Sequence, residues 1–252
     1  KGAYQTFPGS KWDRGIFQVD TLDLLEKERG MTTGVDRRSW MDWKPVRAHV
    51  KKHGIRNSNM MAVAPTATIA NIAGCVPSIE PIYKNMYVKS NFSGEFTIIN
   101  RFLVSDLKEL GLWDEDMMEK VKYYDGSVQA IQEIPAEVRA KYKEVFEIDP
   151  NWIVMHAAHR GKWIDQSQSV NVFTTSTSGK QISETYMMAW KMGLKTTYYL
   201  RTLGASSIEK STLDSKNKKY TTGAAHLDVE SVPATQVTKV CSIEDPTCEA
   251  CQ

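Results

Sequence analysis

The 252-residue sequence predicts an α/β protein with parallel strands. Short apolar runs alternate with segments of helical periodicity, in the order strand, helix, strand, helix, strand, which is typical of parallel α/β packing. Apolar residues make up 41% of the chain, enough to bury a core. Parallel strands are usually buried on both faces, so we expect a closed or covered sheet. No run of 18 apolar residues occurs, and no membrane span is predicted.

The first third of the chain begins with loops. Glycines are frequent in residues 1–40, around a short predicted helix at 21–29. Asp42 is a plausible N-cap for a helix that ends at His53, because a glycine follows that residue. The apolar run 59–64 is predicted to be a buried strand. A helix is expected after the next proline, ending at the glycine at position 74.

The remaining elements follow from capping residues and apolar spacing. Helices are predicted over 100–111, 114–123, 135–146, 150–164 and 180–192, and strands over 169–175 and 195–201. The pattern ends near Leu213. The sequence therefore divides into a folded portion, residues 1–213, and a C-terminal tail, residues 214–252. The tail has too few apolar residues to offset the entropy lost on ordering, so we expect it to be mobile.

Charge and cysteine content exclude several classes of protein. The 32 basic and 30 acidic residues give a net charge of +2 without a long basic run, so nucleic acid is not an expected partner. Four cysteines, three of them in the last twelve residues, do not form a disulfide framework, which favours a reducing cytoplasm. The sequence starts at Lys1 without an initiator methionine or signal-peptide pattern, so we expect it to begin inside a longer protein.

The segment Pro65–Ile69 lies at a predicted strand-to-helix junction. One interpretation is structural: Thr66 caps the helix and the proline restricts the turn. The other is an anion site, because N–H groups at a helix N-terminus attract phosphate, and hydroxyl groups add donors.

Tyr198 and Tyr199 are adjacent in the last predicted strand. In a regular strand their rings would pack on opposite faces and serve only the core. Adjacent phenols can also pass an electron and a proton, but that role needs the two rings close together. An irregular backbone, or passage of the pair through the wall of a barrel, would allow this. Each buried phenol needs a hydrogen-bond partner, and each oxygen could serve the other.

The tail carries Cys241, Cys248 and Cys251. A zinc site with His226 as fourth ligand is one interpretation, although zinc sites usually show two close pairs of ligands. The Cys-x-x-Cys spacing of Cys248 and Cys251 favours dithiol exchange instead, and a mobile tail suits a pair that must reach two partners. The role of Cys241 stays open. Elsewhere, Cys75 is expected to be a small buried residue. Trp152, Trp163 and Trp190 are expected to lie in the core. His156 and His159 are three positions apart on one predicted helix, and no metal is expected to bind to them.

Four segments together resemble the C-terminal part of the large (alpha) subunit of class I ribonucleotide reductase. They are the run from Arg56 to Ile69, the tetrapeptide Ser78-Ile79-Glu80-Pro81, the run Gly193–Thr202 with the two tyrosines, and the tail from Val240 with its Cys-x-x-Cys. The resemblance implies the C-terminal part of a ten-stranded α/β barrel, followed by a mobile tail with redox cysteines. It also implies radical reduction of ribonucleoside diphosphates, in deoxyribonucleotide biosynthesis for DNA replication.

The resemblance also implies roles for individual residues. Contacts to the substrate diphosphate would fall on Pro65, Thr66, Ala67, Thr68 and Ile69. Tyr198 and Tyr199 would carry the radical towards a catalytic cysteine. Cys248 and Cys251 would form the shuttle dithiol that reduces the active site and is itself reduced by thioredoxin or glutaredoxin.

Partners are implied in the same way. The catalytic cysteine would lie on an N-terminal portion of the large subunit, so this chain would be incomplete alone, as a fragment or as half of a split reductase. A metal-containing small (beta) subunit would supply the radical, and this chain would bind no cofactor or metal itself. Two alternatives remain. The chain could belong to a cobalamin-dependent class II reductase, which has no use for the tyrosine pair. It could instead be a non-catalytic binding module whose tail is held together by a zinc ion.

Overall fold

The computed structural model describes residues 2–91 and 94–203, which belong to one compact unit, Lys1–Ile208. Eight α-helices occur among these residues: α1 Thr21–Arg29, α2 Lys44–His53, α3 Ala67–Ala73, α4 Arg101–Glu109, α5 Glu115–Tyr123, α6 Ala136–Lys141, α7 Pro150–Gly161 and α8 Gly179–Lys191. The strands there are β1 Met86–Asn91, β2 Gly94–Ile99, β3 Val172–Thr174 and β4 Leu200–Thr202. The predicted boundary between residues 213 and 214, and the tail itself, lie outside the described residues.

Several helix ends coincide with predicted capping residues, but the N-cap of α2 is Trp43 and not Asp42. The side chain of Asn100 accepts a hydrogen bond from the N–H of Phe102 at 3.1 Å and begins α4. Gly54 ends α2, and Gly74, in a left-handed conformation, ends α3. The predicted helix 135–146 is wrong in its second half, because α6 ends at Lys141 and a separate 3₁₀ turn follows.

The hydrophobic core has separate clusters. The largest joins α4, α5 and the segment that follows them, through residues that are fully or almost fully buried: Leu103, Leu107, Val121, Val128, Ile131 and Ile134. A second cluster packs α7 against β3 through Ile153, Ala157, Val170 and Phe173. This second cluster holds β3 in place, next to the tyrosine pair.

The sheets support the α/β prediction. Strands β3 and β4 are parallel, with Val172 opposite Leu200, and α8 connects them. A parallel bridge between Val63 and Gln168 adds one further contact. The hairpin of β1 and β2 is antiparallel and was not anticipated from the sequence. The described strands form two two-stranded sheets, so no closed barrel exists among the described residues.

Several detailed predictions are wrong. Residues 59–64 do not form a strand beyond the single bridge at Val63, and the two strands predicted at 169–175 and 195–201 shrink to three residues each. Cys75 is exposed rather than buried. Trp152 and Trp190 are 57% and 49% exposed and do not belong to the core. Within the described ranges, no helix is long and apolar enough to cross a membrane.

A buried polar network holds the base of the hairpin. Asn85 has no exposed surface; its N–H donates to Glu144 Oε1 at 2.7 Å and its amide donates to the carbonyl of Tyr142 at 2.8 Å. Asn100, which follows β2 at the same base of the hairpin, donates its side-chain amide to Asn85 Oδ1 at 2.9 Å. Burial raises the pKa of Glu144 to about 7. The base of the hairpin therefore contains a buried polar network that includes the carboxyl group of Glu144.

Candidate functional site

A cavity of about 1400 Å³ brings two of the predicted motifs together. Its lining includes Pro65 and Ala67 from the start of α3, and Tyr198 and Tyr199 from the segment before β4. These motifs are more than 130 positions apart in the sequence. Thr66, Thr68 and Ile69 do not belong to the lining, although all three are exposed.

The start of α3 has an unusual backbone. Thr66 is its N-cap, as predicted, but it has a left-handed conformation with φ of 47° and its side chain makes no cap hydrogen bond. Instead, its hydroxyl oxygen accepts from the N–H of Ser78 at 3.4 Å. Ser78 and Ile79 also have positive φ, both 56°. Residues with side chains adopt this conformation at an energetic cost and are concentrated at functional sites.

Ser78 connects the cavity wall to the strand region. Its hydroxyl donates to the carbonyl of Pro65 at 3.3 Å and lies 3.3 Å from the hydroxyl of Ser169. Both serines are buried. The turn that carries Ser78 is therefore tied to the segment before α3 and to the segment before β3.

The two tyrosine rings lie close together, with ring centroids 4.0 Å apart and planes inclined by 45°. The Tyr198 hydroxyl donates to the Tyr199 hydroxyl at 3.1 Å, so each oxygen is the partner of the other, as the sequence analysis suggested. This hydrogen bond raises the pKa of Tyr198, because ionisation would remove the donated proton. The Arg201 guanidinium lies 5.0 Å from the centre of the Tyr199 ring and partly opposes that effect on Tyr198.

Two residues of the cavity received no role in the sequence analysis. Asn171 lies between the tyrosines and Glu80: its Oδ1 accepts from the N–H of Tyr199 at 3.0 Å, and its Nδ2 donates to Glu80 Oε1 at 2.5 Å. Burial raises the pKa of Glu80, whereas the hydrogen bonds from Asn171 and the charge of Arg201 lower it. In the sequence, the only indication that either residue belongs to the site was the presence of Glu80 in the tetrapeptide Ser78–Pro81.

The predicted redox cysteines, Cys241, Cys248 and Cys251, lie outside the described residues, as does His226. The part of the chain that the structure describes contains no group of three or more His, Cys, Asp or Glu side chains that could hold a metal ion.

Comparisons with known proteins identify the family of the chain. Residues 1–200 match the family described as "Ribonucleotide reductase, barrel domain". The chain is 46% identical to "Ribonucleoside-diphosphate reductase subunit alpha" of Chlamydia trachomatis, in an alignment that covers 100% of this chain and 24% of that protein. It is 36% identical to "Ribonucleoside-diphosphate reductase large chain" of Schizosaccharomyces pombe, which covers 100% of this chain and 32% of that protein.

A solved structure is similar in fold. The Actinobacillus ureae class Id ribonucleotide reductase alpha subunit matches with a TM-score of 0.55 and 28% sequence identity, over 81% of this chain and 35% of that one. The chain thus spans about a quarter to a third of the length of these curated relatives. On its sequence and its fold, the chain belongs to the ribonucleotide reductase barrel-domain family.

Proposed function

We propose that this chain acts as part of the large subunit of a ribonucleoside-diphosphate reductase, which reduces ribonucleoside diphosphates to deoxyribonucleoside diphosphates by a radical mechanism. The observation that carries the proposal is the shared cavity, whose lining includes both the tyrosine pair and residues from the start of α3. In the complete subunit, the described parallel strands would belong to a ten-stranded barrel. The rest of that barrel and the catalytic cysteine would come from the N-terminal portion of the subunit.

The tyrosine pair would transfer the radical. A small subunit that contains a metal would oxidise Tyr199, whose hydroxyl gives up one electron and one proton. Tyr198 would then pass its own hydrogen atom to the Tyr199 oxygen, over the 3.1 Å between the two hydroxyl groups. The Tyr198 radical would in turn take the hydrogen atom of the catalytic cysteine thiol. In the first step, the oxidant of the small subunit would accept the electron and the proton that Tyr199 loses. Each of the two later steps breaks one O–H or S–H bond and forms one O–H bond, so atoms and electrons balance.

The segment Pro65–Ile69 would contact the substrate diphosphate. Exposure of Thr66, Thr68 and Ile69 leaves the start of α3 accessible, and Pro65 and Ala67 line the cavity. Hydroxyl and N–H donors are the groups that phosphate oxygens accept from. The Arg201 guanidinium, which also lines the cavity, adds a positive charge to it.

The tail would restore the enzyme after each turnover. The reaction leaves a disulfide in the active site, and the thiols of Cys248 and Cys251 would reduce it while they themselves form a disulfide. Thioredoxin or glutaredoxin would then reduce the tail. The support for this step is the Cys-x-x-Cys spacing of the sequence.

The test uses Tyr198→Phe and Tyr199→Phe in the complete large subunit, assayed with the small subunit. Phenylalanine keeps the ring and removes only the hydroxyl group. We expect normal folding and substrate binding, with turnover reduced to background in both variants. Tyr186→Phe, on α8 and away from the cavity lining, is the matched control and should retain activity. Turnover near that of the wild type in both cavity variants would refute the relay.

A further inference from the structure

The backbone at the tyrosine pair contains one extra residue. In the parallel register of β3 and β4, Val172 lies opposite Leu200 and donates its N–H to the carbonyl of Tyr199. Continued backwards, this register would pair the carbonyl of Val170 with the N–H of Tyr199. That carbonyl instead accepts from Tyr198, at 2.8 Å. The arrangement is a β-bulge, in which two residues oppose one on the partner strand.

The bulge explains the position of the rings. Successive side chains of a regular strand point to opposite faces, which would separate the two phenols. An extra residue interrupts this alternation, so both rings lie on one side, with centroids 4.0 Å apart. The bulge also deprives Tyr199 of its backbone acceptor, because Tyr198 occupies the carbonyl of Val170.

Asn171 replaces the missing acceptor. It is the residue on the partner segment opposite the bulge, it is 7% exposed, and its Oδ1 accepts from the Tyr199 N–H at 3.0 Å. An amide side chain can rotate and exchange its oxygen with its nitrogen, and only the oxygen accepts. The Glu80 carboxylate lies 2.5 Å from Nδ2 and fixes this orientation. An ionised carboxylate has no proton to donate, so it pairs with the amide nitrogen and not with the amide oxygen.

We propose that Asn171 is a positioning residue for the tyrosine pair: it stabilises the bulge that brings the two phenols into contact, and Glu80 orients its amide. The importance of this contact for turnover rests on the radical relay proposed above, but the geometric role of Asn171 does not. Neither side chain touches a phenol oxygen in the described contacts, so both act through the backbone of Tyr199.

The experiment measures contact between the phenols without measuring activity. In the full chain, 3-fluorotyrosine replaces Tyr198, and ¹⁹F NMR follows its ionisation with pH. Tyr199→Phe removes the acceptor of its hydrogen bond and should lower the pKa of residue 198. In Asn171→Leu, which has a similar volume but no polar group, Tyr199→Phe should no longer change that pKa. Ser169→Ala, which removes a nearby buried hydroxyl that is bonded elsewhere, should leave the effect of Tyr199→Phe intact.

An exchange of the two polar groups tests the role of Glu80. Asn171→Asp keeps an acceptor for Tyr199 but sets two carboxylates against each other, so the effect of Tyr199→Phe should shrink. Adding Glu80→Gln supplies a donor from the opposite side and should restore the effect. Comparison of Asn171→Asp with and without Glu80→Gln also tests the positioning role of Asn171 if Asn171→Leu fails to fold.

Two results would overturn the positioning role. One is an undiminished effect of Tyr199→Phe in folded Asn171→Leu. The other is an equal effect in Asn171→Asp with and without Glu80→Gln. Turnover of the same variants in the complete enzyme is measured separately. If the phenylalanine variants of both tyrosines stay active, the relay fails while the NMR result still decides the role of Asn171.

Discussion

Replacement of Glu144 by glutamine should stabilise the chain at alkaline pH and leave it almost unchanged at acid pH. Glu144 is 7% exposed and accepts the N–H of Asn85 at the base of the hairpin. Burial raises its pKa most, and the negative charges of Glu147 and Asp125 raise it further, against the Asn85 hydrogen bond and the charge of Lys84. Glutamine keeps an oxygen for Asn85 and removes the charge.

The size of the effect follows from proton linkage. The pKa of Glu144 rises from an ordinary 4.5 to about 7 on folding. Between these values the folded chain binds more protons than the unfolded chain, so the free energy of unfolding falls as pH rises through this window. At about 1.4 kcal/mol for each pH unit, the full loss is on the order of 3 kcal/mol and is complete by about pH 8.

Urea unfolding of the wild type and Glu144→Gln at pH 5 and pH 8 provides the assay. The variant should be more stable by less than about 1 kcal/mol at pH 5, near the start of this window, and by about 3 kcal/mol at pH 8. Glu184→Gln is the control: that side chain is 64% exposed, and its substitution should change stability by no more than about 0.5 kcal/mol at either pH. An equal difference between wild type and Glu144→Gln at both pH values would refute the reasoning.

Three further predictions concern the core, the substrate and the tail. Leu107→Ala empties a fully buried position of α4 and should lower the free energy of unfolding by about 2–5 kcal/mol in urea titration. Thr66→Val with Thr68→Val removes two hydroxyl donors; at about 1.5–3 kcal/mol for each lost bond to phosphate, diphosphate affinity by calorimetry in the complete enzyme should fall at least tenfold. Cys248→Ser with Cys251→Ser should abolish steady-state turnover with thioredoxin but preserve a single turnover of the pre-reduced enzyme.

The first two of these predictions have a matched control variant. Leu110→Ala, at the C-cap position just after α4 and 48% exposed, should cost much less than Leu107→Ala, and equal costs would contradict the assigned core. Thr66→Ser with Thr68→Ser keeps the hydroxyl groups and should keep the affinity; loss of affinity there would show that shape, not donors, matters. Unchanged turnover with thioredoxin after replacement of both cysteines would show that Cys248 and Cys251 are not the shuttle dithiol.

Helices were predictable from the sequence because their signals are local. Asn100 supplies the cap of α4, and Gly54 and Gly74 stop the chain where α2 and α3 end. The strands were less predictable because they depend on neighbours. The apolar run 59–64 has a pairing partner only at Val63, and the hairpin has exposed apolar residues such as Val88, so periodicity did not reveal it.

The candidate site also has a part that local sequence signals predict and a part that depends on contacts between distant segments. The two motifs were visible as short runs of residues, but their meeting in one cavity depends on contacts between distant segments. The closeness of Tyr198 and Tyr199 was expected from the resemblance, but regular alternation along a strand argues against it, so the sequence did not show which backbone arrangement would produce it. It depends on Asn171, 28 residues away, whose side chain completes an irregular backbone.

The bulge makes the spacing of this segment as important as its composition. Removal of one residue between Lys195 and Tyr198 would leave both tyrosines, the charge and the core composition intact. It would also allow the segment to pair regularly with β3, which sends neighbouring rings to opposite faces. Such a deletion could fold as well as the parent chain and still separate the two phenols. Homologous chains that keep the tyrosine pair should therefore vary in the length of the loops around α8 but not in the count of residues from Lys195 to Leu200.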